Sequence, residues 1–151
     1  MPTAQRTFDV QAPAAMVWAF LSDLERLGPC LPGCTGVDLL SPTEADWRME
    51  TKIGFIRKRF VVRTRTTTLE APAHAAWTGE SDELIASGTI DVRPRAPDRT
   101  EVTYRGTVKG QGPARQLLNR YFKSRLDRDI DAFVANVRTA LQPEAAPVSD
   151  P

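Results

Sequence analysis

The sequence predicts an α+β domain in which a curved antiparallel sheet of about seven strands wraps around one long carboxy-terminal helix. Segments in which apolar and polar residues alternate follow one another along most of the chain, and short turns separate them. Because connections this short join antiparallel neighbours, the strands should form a meander. A short helical pattern follows the first strand, and a longer one follows the last. Since the long helix has an apolar stripe and no other surface to bury it against, the sheet must curl around it.

A strand opens the fold, and a short helical insertion follows it. The run "TFDVQ" at 7–11 alternates as a strand does. In "APAAMVWAFLSDLERL", Pro13 suits the first position of a helix, where its missing N–H costs nothing. The helix cannot continue through Gly28 and Pro29, so we expect "LGPCLPGCTG", residues 27–36, to be a loop. The predicted apolar face of this helix consists of Met16, Val17, Phe20, Leu21 and Leu24.

Strand-like runs then continue to residue 110, and a period of two sorts each of them into an inward and an outward row. The runs are "GVDLL", "DWRMETKIG", "RKRFVVRTRTTTLE", "AAWTGES", "LIASGTIDVRP" and "RTEVTYRGTVKG". The rows predicted to face inward are Trp47, Met49, Thr51 and Ile53; Phe60, Val62, Thr64 and Thr66; Ala75, Trp77 and Gly79; Leu84, Ala86, Gly88, Ile90 and Val92; and Val102, Tyr104, Gly106 and Val108.

The last folded segment is a long amphipathic helix that Pro113 opens. Charged residues such as Arg120, Lys123 and Asp127 lie off its apolar stripe. The ten residues after it, "QPEAAPVSDP", are rich in proline and polar residues. We therefore predict one domain at 1–141 and a disordered tail at 142–151. The stripe consists of Leu118, Phe122, Leu126, Ile130, Phe133, Val137 and Leu141.

The composition of the 151-residue chain excludes several classes of function. A formal net charge of +1 gives no overall field for binding nucleic acid. No apolar run approaches the roughly 20 residues that span a bilayer. The start "MPTAQRTFDV" lacks the basic and apolar segments of a signal peptide, so we expect a cytoplasmic protein, with peripheral contact at the inner membrane face as an open alternative.

The predicted inner face is mostly aromatic and aliphatic, with the hydroxyl groups of Thr51, Thr64, Thr66 and Tyr104 among the apolar side chains. Such a lining fits a pocket that holds an apolar ligand and orients it with a few hydrogen bonds. The pattern alone favours a filled core, in which large and small side chains interdigitate. A periodic pattern does not itself show a void.

Both cysteines of the chain, Cys30 and Cys34, lie in the predicted loop, and three roles compete for them. A structural zinc site needs about four Cys or His ligands, and His74 is the chain's one histidine. A redox pair needs a stabilised thiolate, and the three-residue spacing, with a proline and a glycine between the cysteines, is unfavourable for a dithiol switch. We therefore expect no metal site and a structural turn, in which prolines restrict the backbone and Gly33 adopts a positive φ.

Two further features leave alternatives open. The strand carboxylates Glu50, Glu80, Asp91 and Glu101 fall on outward rows, so acid–base chemistry would depend on Tyr104, with Tyr121 nearby. The basic run at 57–65 either docks to anionic lipid or to an acidic partner, or is a solvated face paired with acidic neighbours such as Glu50 and Glu101. Its basic residues are Arg57, Lys58, Arg59, Arg63 and Arg65.

Several of these motifs together resemble the G-subunit family of carbon monoxide dehydrogenase, which belongs to the START-like, helix-grip superfamily (SRPBCC) that also holds the polyketide cyclases. The resemblance extends over roughly residues 5–141. It rests on the Ala-Pro start of the first helix, Val17-Trp18, "DLERL" and above all "CLPGC". "TKIGFIRKRFVV", "ASGTIDVRP", "RTEVTYRGTVKGQGP" and the Tyr121-Phe122 pair in the long helix continue it.

The resemblance implies a helix-grip fold with a lipophilic cavity between the sheet and the long helix. It also implies a carrier or accessory protein for a molybdenum hydroxylase of the carbon monoxide dehydrogenase type, with an isoprenoid quinone or other prenyl lipid as ligand, no covalently bound cofactor and transient membrane contact. Some relatives carry a membrane-seeking extension, so for a chain ending "QPEAAPVSDP" we expect no permanent anchor. A cyclase-like or dehydratase-like enzyme and a ligand-free recruitment factor are the alternatives.

Candidate residues follow from combining the resemblance with the inward rows. Tyr104 and Thr64 are the expected hydrogen-bond partners of a quinone carbonyl, and the "CLPGC" turn is expected at the cavity mouth, with Pro32, Gly33 and Cys34. The remaining lining residues are Trp47, Met49, Phe60, Val62, Trp77, Ile90, Phe122 and Phe133.

Overall fold

A computed structural model describes residues 3–142. The strands are β1 (Thr3–Val10), β2 (Cys34–Ser41), β3 (Glu44–Ile53), β4 (Ile56–Glu70), β5 (His74–Glu80), β6 (Leu84–Ala96) and β7 (Arg99–Gly110). The helices are α1 (Ala14–Ser22), α2 (Leu24–Leu27) and α3 (Arg115–Leu141), and a 3₁₀ turn spans Gly28–Cys30. The predicted α+β organisation, with its long final helix, is confirmed.

The strands form one antiparallel sheet in the order β1-β7-β6-β5-β4-β3-β2. The predicted meander is therefore confirmed from β2 to β7, and β1 closes the other edge by pairing with β7. Residues predicted to share the inner face are paired across the sheet: Trp47 lies opposite Val62, Met49 opposite Phe60, and Ile90 opposite Tyr104. Directly paired residues point to the same face, so these rows do line one surface.

The segment before β2 is more ordered than the predicted loop. Gly28–Cys30 form a 3₁₀ turn, and β2 begins at Cys34. Gly33, at a φ of +87°, directs its carbonyl oxygen to the amide of Glu50, 2.8 Å away. This bond ties the turn to β3, because the positive φ that glycine tolerates reverses the chain at this point.

The inner face of α1 is narrower than predicted. Val17, Phe20 and Leu21 are buried, but Met16 is 52% exposed, so its assignment to the apolar face was wrong. Met16 lies about a quarter-turn from the centre of the stripe that Val17, Phe20 and Leu21 define. The helix ends at Ser22, and the carboxylate of Asp23 then accepts the backbone N–H of Arg26 at 3.3 Å and caps α2.

The long helix α3 buries the predicted stripe, with Leu118, Ile130, Phe133, Val137 and Leu141 buried. It packs mainly on β1 and β7 and on the 3₁₀ turn. The guanidinium of Arg6, on the inner row of β1, donates to Asp131 at 2.6 Å and to Asp127 at 3.1 Å. On the other flank of the helix, the Asn136 amide donates to the Cys30 carbonyl at 3.0 Å. These bonds hold α3 from both sides.

Two buried clusters stabilise the fold. One joins β1, β7 and α1 to the carboxy-terminal half of α3, and includes Val10, Val102 and Phe133. The other joins β3, β4 and β6, and includes Trp47 and Val62. Leu27 and Leu31 contact both clusters. Gln142 caps α3 and its side chain accepts the N–H of Gln11 at 2.6 Å, whereas the rest of the predicted tail, 143–151, lies outside the described residues.

Candidate functional site

Between the two clusters, the concave face of the sheet is only partly covered by α3. Of the predicted lining residues, Trp47, Val62 and Phe133 are buried and belong to the clusters. The others are half-buried, on the inner face of the sheet or, for Phe122, on α3: Met49, Phe60, Thr64, Trp77, Ile90, Tyr104 and Phe122. Ile90 and Tyr104 pack against the edge of the first cluster, and Met49, Phe60 and Phe122 against the edge of the second. These seven residues define the part of the inner face that a ligand would have to open. We call it the concave groove.

Two aromatic rings occupy the space above glycines of the inner face. A Cβ atom on Gly88 would lie 2.6 Å from Nε1 of Trp77, and one on Gly79 would lie 3.4 Å from the same ring. A Cβ atom on Gly106 would lie 3.3 Å from the Tyr104 ring. The glycines therefore allow Trp77 and Tyr104 to lie flat on the sheet.

The ring of Tyr104 packs against the first cluster, and its hydroxyl group faces the groove. Its ring centroid lies 5.3 Å from that of Phe133. Within residues 3–142, its hydroxyl group forms no hydrogen bond. Burial raises the pKa of Tyr104 to about 12. At neutral pH the group is therefore protonated and is a hydrogen-bond donor with no acceptor among residues 3–142.

The hydroxyl of Thr64 is already engaged. It accepts the indole N–H of Trp47 at 2.7 Å and donates to the carbonyl of Ala45 at 3.5 Å. The first bond is strong and the second is at the limit of hydrogen-bond length. Trp47 occupies one lone pair of the Thr64 oxygen, and its proton, held by the weak bond to Ala45, is what Thr64 could offer to an acceptor on a ligand.

At one end of the groove, β3 and β4 meet the start of α3 around a small enclosed space. Its walls are Thr51, Phe60, Leu118, Tyr121 and Phe122, and its volume of about 10 Å³ holds about one water molecule. The hydroxyls of Tyr121 and Thr51 hydrogen-bond to each other across it. A larger guest therefore requires the half-buried side chains of the groove to move.

Lys58 and Glu83 close this end with an ion pair of 3.0 Å. The sequence interpretation grouped Lys58 with the outward basic run, and this was wrong. Lys58 lies opposite Thr51, two residues before Phe60, and so belongs to the inner row. The arginines of the run do face outward: Arg57 and Arg59 bind Glu50, each at 3.2 Å.

The rest of the outward face is paired in part, and Arg65 forms no ion pair within residues 3–142. Arg63 binds Asp46 at 2.8 Å, and this guanidinium holds the pKa of Asp46 below its usual value. Glu101 pairs with Arg95 at 3.1 Å and with Arg93, and not with the basic run of β4. His74 bonds Asp91 at 2.6 Å on the outer face.

Burial disfavours the thiolate form of both cysteines in the turn. Cys30 is buried beneath α3, and Cys34 is half-buried at the start of β2, with its Sγ atom 3.5 Å from the Gly36 carbonyl. Burial raises the pKa of both thiols, so the thiolate that redox chemistry or metal binding requires is disfavoured. Over residues 3–142, no three His, Cys, Asp or Glu side chains converge to hold a metal ion.

Pro32 and Gly33 lie where this turn meets β3. A Cβ atom on Gly33 would lie 3.6 Å from the Met49 methyl group and 3.0 Å from the Glu50 carbonyl oxygen. The turn therefore borders the groove at Met49. Whether a ligand touches Cys34 there stays a prediction.

Sequence reasoning missed two residues that shape the site. Arg6 faces inward because it lies two residues before Phe8 in β1, which begins at Thr3 and not at the predicted Thr7. Glu83, in the turn before β6, could not be assigned to either face from a two-residue period. Extending the alternating pattern of the first strand by two residues toward the amino terminus would have placed Arg6 on the inner face.

Comparison with known proteins identifies the family of this fold. The family model for the G subunit of carbon monoxide dehydrogenase (CoxG) matches residues 7–142. No curated protein matches the sequence. None of the helices within residues 3–142 is long and apolar enough to cross a membrane.

Solved structures share the fold at low sequence identity. A conserved protein from Geobacillus kaustophilus matches with a TM-score of 0.78 at 18% identity, over 94% of this chain and 96% of that one. A START superfamily protein from Mycobacterium smegmatis matches at 0.74 and 16%, over 93% and 97%. The Zhui aromatase/cyclase from Streptomyces sp. R1128 matches at 0.74 and 14%, over 99% of each chain. These likenesses establish the helix-grip fold.

Proposed function

The chain belongs to the CoxG family of carbon monoxide dehydrogenase G subunits, and we propose that it is a carrier that holds an isoprenoid quinone in the concave groove. It would move the quinone between the membrane and a molybdenum hydroxylase of the carbon monoxide dehydrogenase type. The chain would itself catalyse no reaction.

The observation that carries this proposal is the unpartnered hydroxyl of Tyr104 beside an apolar groove. A quinone carbonyl is a hydrogen-bond acceptor, and the protonated phenol is the complementary donor. Apolar side chains such as Met49, Phe60 and Ile90 would cover the prenyl chain. A mostly apolar groove with a few polar groups that fix orientation is the usual form of a small-molecule site.

Thr64 is the proposed second donor. Its bond to the Ala45 carbonyl is only 3.5 Å long, so little is lost when its proton turns to a quinone oxygen. The bond it accepts from Trp47 would stay in place and hold its side chain. The two donors would then orient the head group from opposite sides of the groove.

Binding requires side chains to move, because the enclosed space at the end of the groove is water-sized. The half-buried Trp77, Phe60, Met49 and Phe122 are the groups that would have to turn outward or aside. Trp77 is the natural reporter, since its ring would leave its position over Gly88.

The placement of acidic residues supports a carrier over a cyclase-like enzyme. Glu50, Asp91 and Glu101 are bound to basic partners on the outer face, away from the groove. The groove itself offers one free phenol. General acid–base catalysis ordinarily requires a positioned pair of titratable groups with suitable pKa values.

A pair of neighbouring substitutions on β6 tests the proposal. Ala86 is half-buried on the inner face, whereas Ser87 is exposed on the outer face. Titration with decylubiquinone, followed by quenching of tryptophan fluorescence, should show saturable binding by the natural chain. Ala86→Phe should weaken it about tenfold or more, because the added ring fills the groove, and Ser87→Phe should leave it unchanged. Equal binding by both variants would exclude the groove as the site.

A further inference from the structure

Two apolar side chains project from the tip of the β3–β4 hairpin. Gly54, at a φ of +66°, makes the turn between the strands. The next two side chains, Phe55 and Ile56, are 102% and 67% exposed. Single exposed apolar residues are common on protein surfaces. A phenylalanine and an isoleucine side by side at a protruding turn are not explained by packing, because nothing in the described chain contacts them as a core would.

Basic residues surround this tip. The segment 50–59, "ETKIGFIRKR", has four basic residues and one acidic residue. Its carboxylate, Glu50, is shared by Arg57 and Arg59, and Lys58 is bound to Glu83. Lys52 forms no ion pair within residues 3–142. The hairpin end therefore has a positive excess that its own carboxylate does not neutralise.

The start of α3 adds further positive charge at the same end of the molecule. The enclosed space near Phe60 is walled by both the hairpin and the first turns of α3, so the two elements are adjacent. Residues 115–126 contain four basic residues and no acidic one, and Leu117 there is 50% exposed. Arg120 and Lys123 lie beyond the first turn of α3, where the helix dipole neither favours nor disfavours a cation.

Acidic residues at this end are few. Besides Glu50 of the hairpin, they lie in the β5–β6 turn, where Glu83 is bound to Lys58 and Asp82 is exposed. Arg120 and Lys123, like Lys52, form no ion pair among the described residues. We call the set Lys52, Phe55, Ile56, Leu117, Arg120 and Lys123 the basic tip.

We propose that the basic tip docks on the surface of an anionic lipid bilayer, with Phe55 and Ile56 entering the interface between head groups and acyl chains. Aromatic and aliphatic side chains bind there through burial of apolar area, and cations bind the anionic head groups. A bilayer accepts a narrow protruding tip, whereas a protein surface would need a matching pocket for it. Such docking would place at the membrane the end of the groove that Lys58 and Glu83 close. This inference rests on the proposed carrier function, because a quinone would enter or leave the groove there.

Vesicle flotation with the full chain tests this surface. The vesicles are phosphatidylcholine alone and a two-to-one mixture of phosphatidylcholine and phosphatidylglycerol. The natural chain should float with the mixed vesicles, and raising the salt concentration should release it, because screening weakens head-group contacts. Phe55→Ser/Ile56→Ser should weaken binding about tenfold or more, and so should Lys52→Gln/Arg120→Gln/Lys123→Gln. Phe55→Trp should retain binding.

The matched control removes an exposed apolar side chain elsewhere. Leu69, 55% exposed, lies at the opposite end of β4 from Ile56, so Leu69→Ser should bind vesicles as the natural chain does. Two results would overturn the proposal: vesicle binding that survives loss of Phe55 and Ile56, or no binding to mixed vesicles by the natural chain. The second result would indicate that the basic tip binds an acidic protein partner and not a bilayer.

The quinone titration distinguishes this inference from the carrier function. If the tip variants bind decylubiquinone normally but no longer float, both proposals stand. If the natural chain floats but binds no quinone, the docking surface stands and the carrier function fails.

Discussion

Replacement of Tyr104 by phenylalanine should affect folding and ligand binding differently. The hydroxyl forms no hydrogen bond within residues 3–142, so its removal breaks none and relieves a partly desolvated polar group. We expect the free energy of unfolding of Tyr104→Phe to stay unchanged or to rise by up to about 1 kcal/mol. The ring contact with Phe133, at 5.3 Å, is kept.

Binding should weaken in the same variant. A neutral hydrogen bond contributes about 0.5–1.5 kcal/mol net, which is about a two- to twelvefold loss in affinity for decylubiquinone. Urea unfolding followed by far-ultraviolet circular dichroism measures the first quantity, and fluorescence titration measures the second.

Tyr121 is the matched control, because its hydroxyl does have a partner. Tyr121→Phe breaks the bond to Thr51 and leaves that hydroxyl half-buried and unpaired. It should cost about 1 kcal/mol of stability. Tyr104 would not be a free donor to the quinone if Tyr104→Phe destabilised the fold as much as Tyr121→Phe does, or if it bound the quinone with unchanged affinity.

Further predictions follow from the same contacts. Gly88→Ala places a methyl group 2.6 Å from Trp77 Nε1, so it should displace that ring and lower the unfolding free energy by about 1–3 kcal/mol, with a shift in tryptophan emission. Burial raises the pKa of Tyr104 from 10.0 to about 12, so between these pH values the folded state keeps a proton that the unfolded chain loses. The free energy of unfolding should therefore fall as pH rises through this range, and it should fall by about 2 kcal/mol less in Tyr104→Phe. The guanidinium of Arg6 holds the pKa of Asp131 below its usual value. The pair therefore stabilises the fold at pH values above the pKa of the carboxyl group in the unfolded chain, and this stabilisation is lost as pH falls through its pKa in the folded state. In Arg6→Met the free energy of unfolding should depend less steeply on pH in the acid range, and an unchanged slope would contradict this assignment. Both cysteine thiols should react with a dithiobis(nitrobenzoate) reagent more slowly in the folded protein than in urea, since burial raises the pKa of each; equal rates would show that the turn is open.

Most of the sheet could be predicted from the sequence because tight turns fix the register. Once the β3–β4 turn is placed at Gly54, the alternation of apolar residues determines that Trp47 and Val62, or Met49 and Phe60, lie opposite each other. The apolar stripe of α3 was equally clear, since its period persists over the whole helix.

The state of the groove could not be predicted in the same way. Alternation shows which face a residue is on, but not whether a neighbouring ring fills the space above it. The sequence leaves Gly88 and Gly106 as gaps, and the structure fills them with Trp77 and Tyr104. The cysteine loop was likewise more ordered than expected, because a backbone bond between Gly33 and Glu50 has no signature in residue type.

Charged residues were the least predictable part of the site. The sequence shows Lys58 as one of several cations in a basic strand. That it faces inward follows only from its position two residues before Phe60, on the same side of the strand. Its partner Glu83 lies in a turn, about 25 residues away along the chain, where periodicity has no meaning.

The central claim is that this chain carries a quinone, and one measurement tests it most directly. The protein is purified without detergent and analysed by native mass spectrometry, and then again by mass spectrometry after extraction with organic solvent. We expect a bound quinone or other prenyl lipid in a one-to-one ratio, which extraction releases. A protein that is free of such a molecule, and that takes up none when decylubiquinone is added, would contradict the claim.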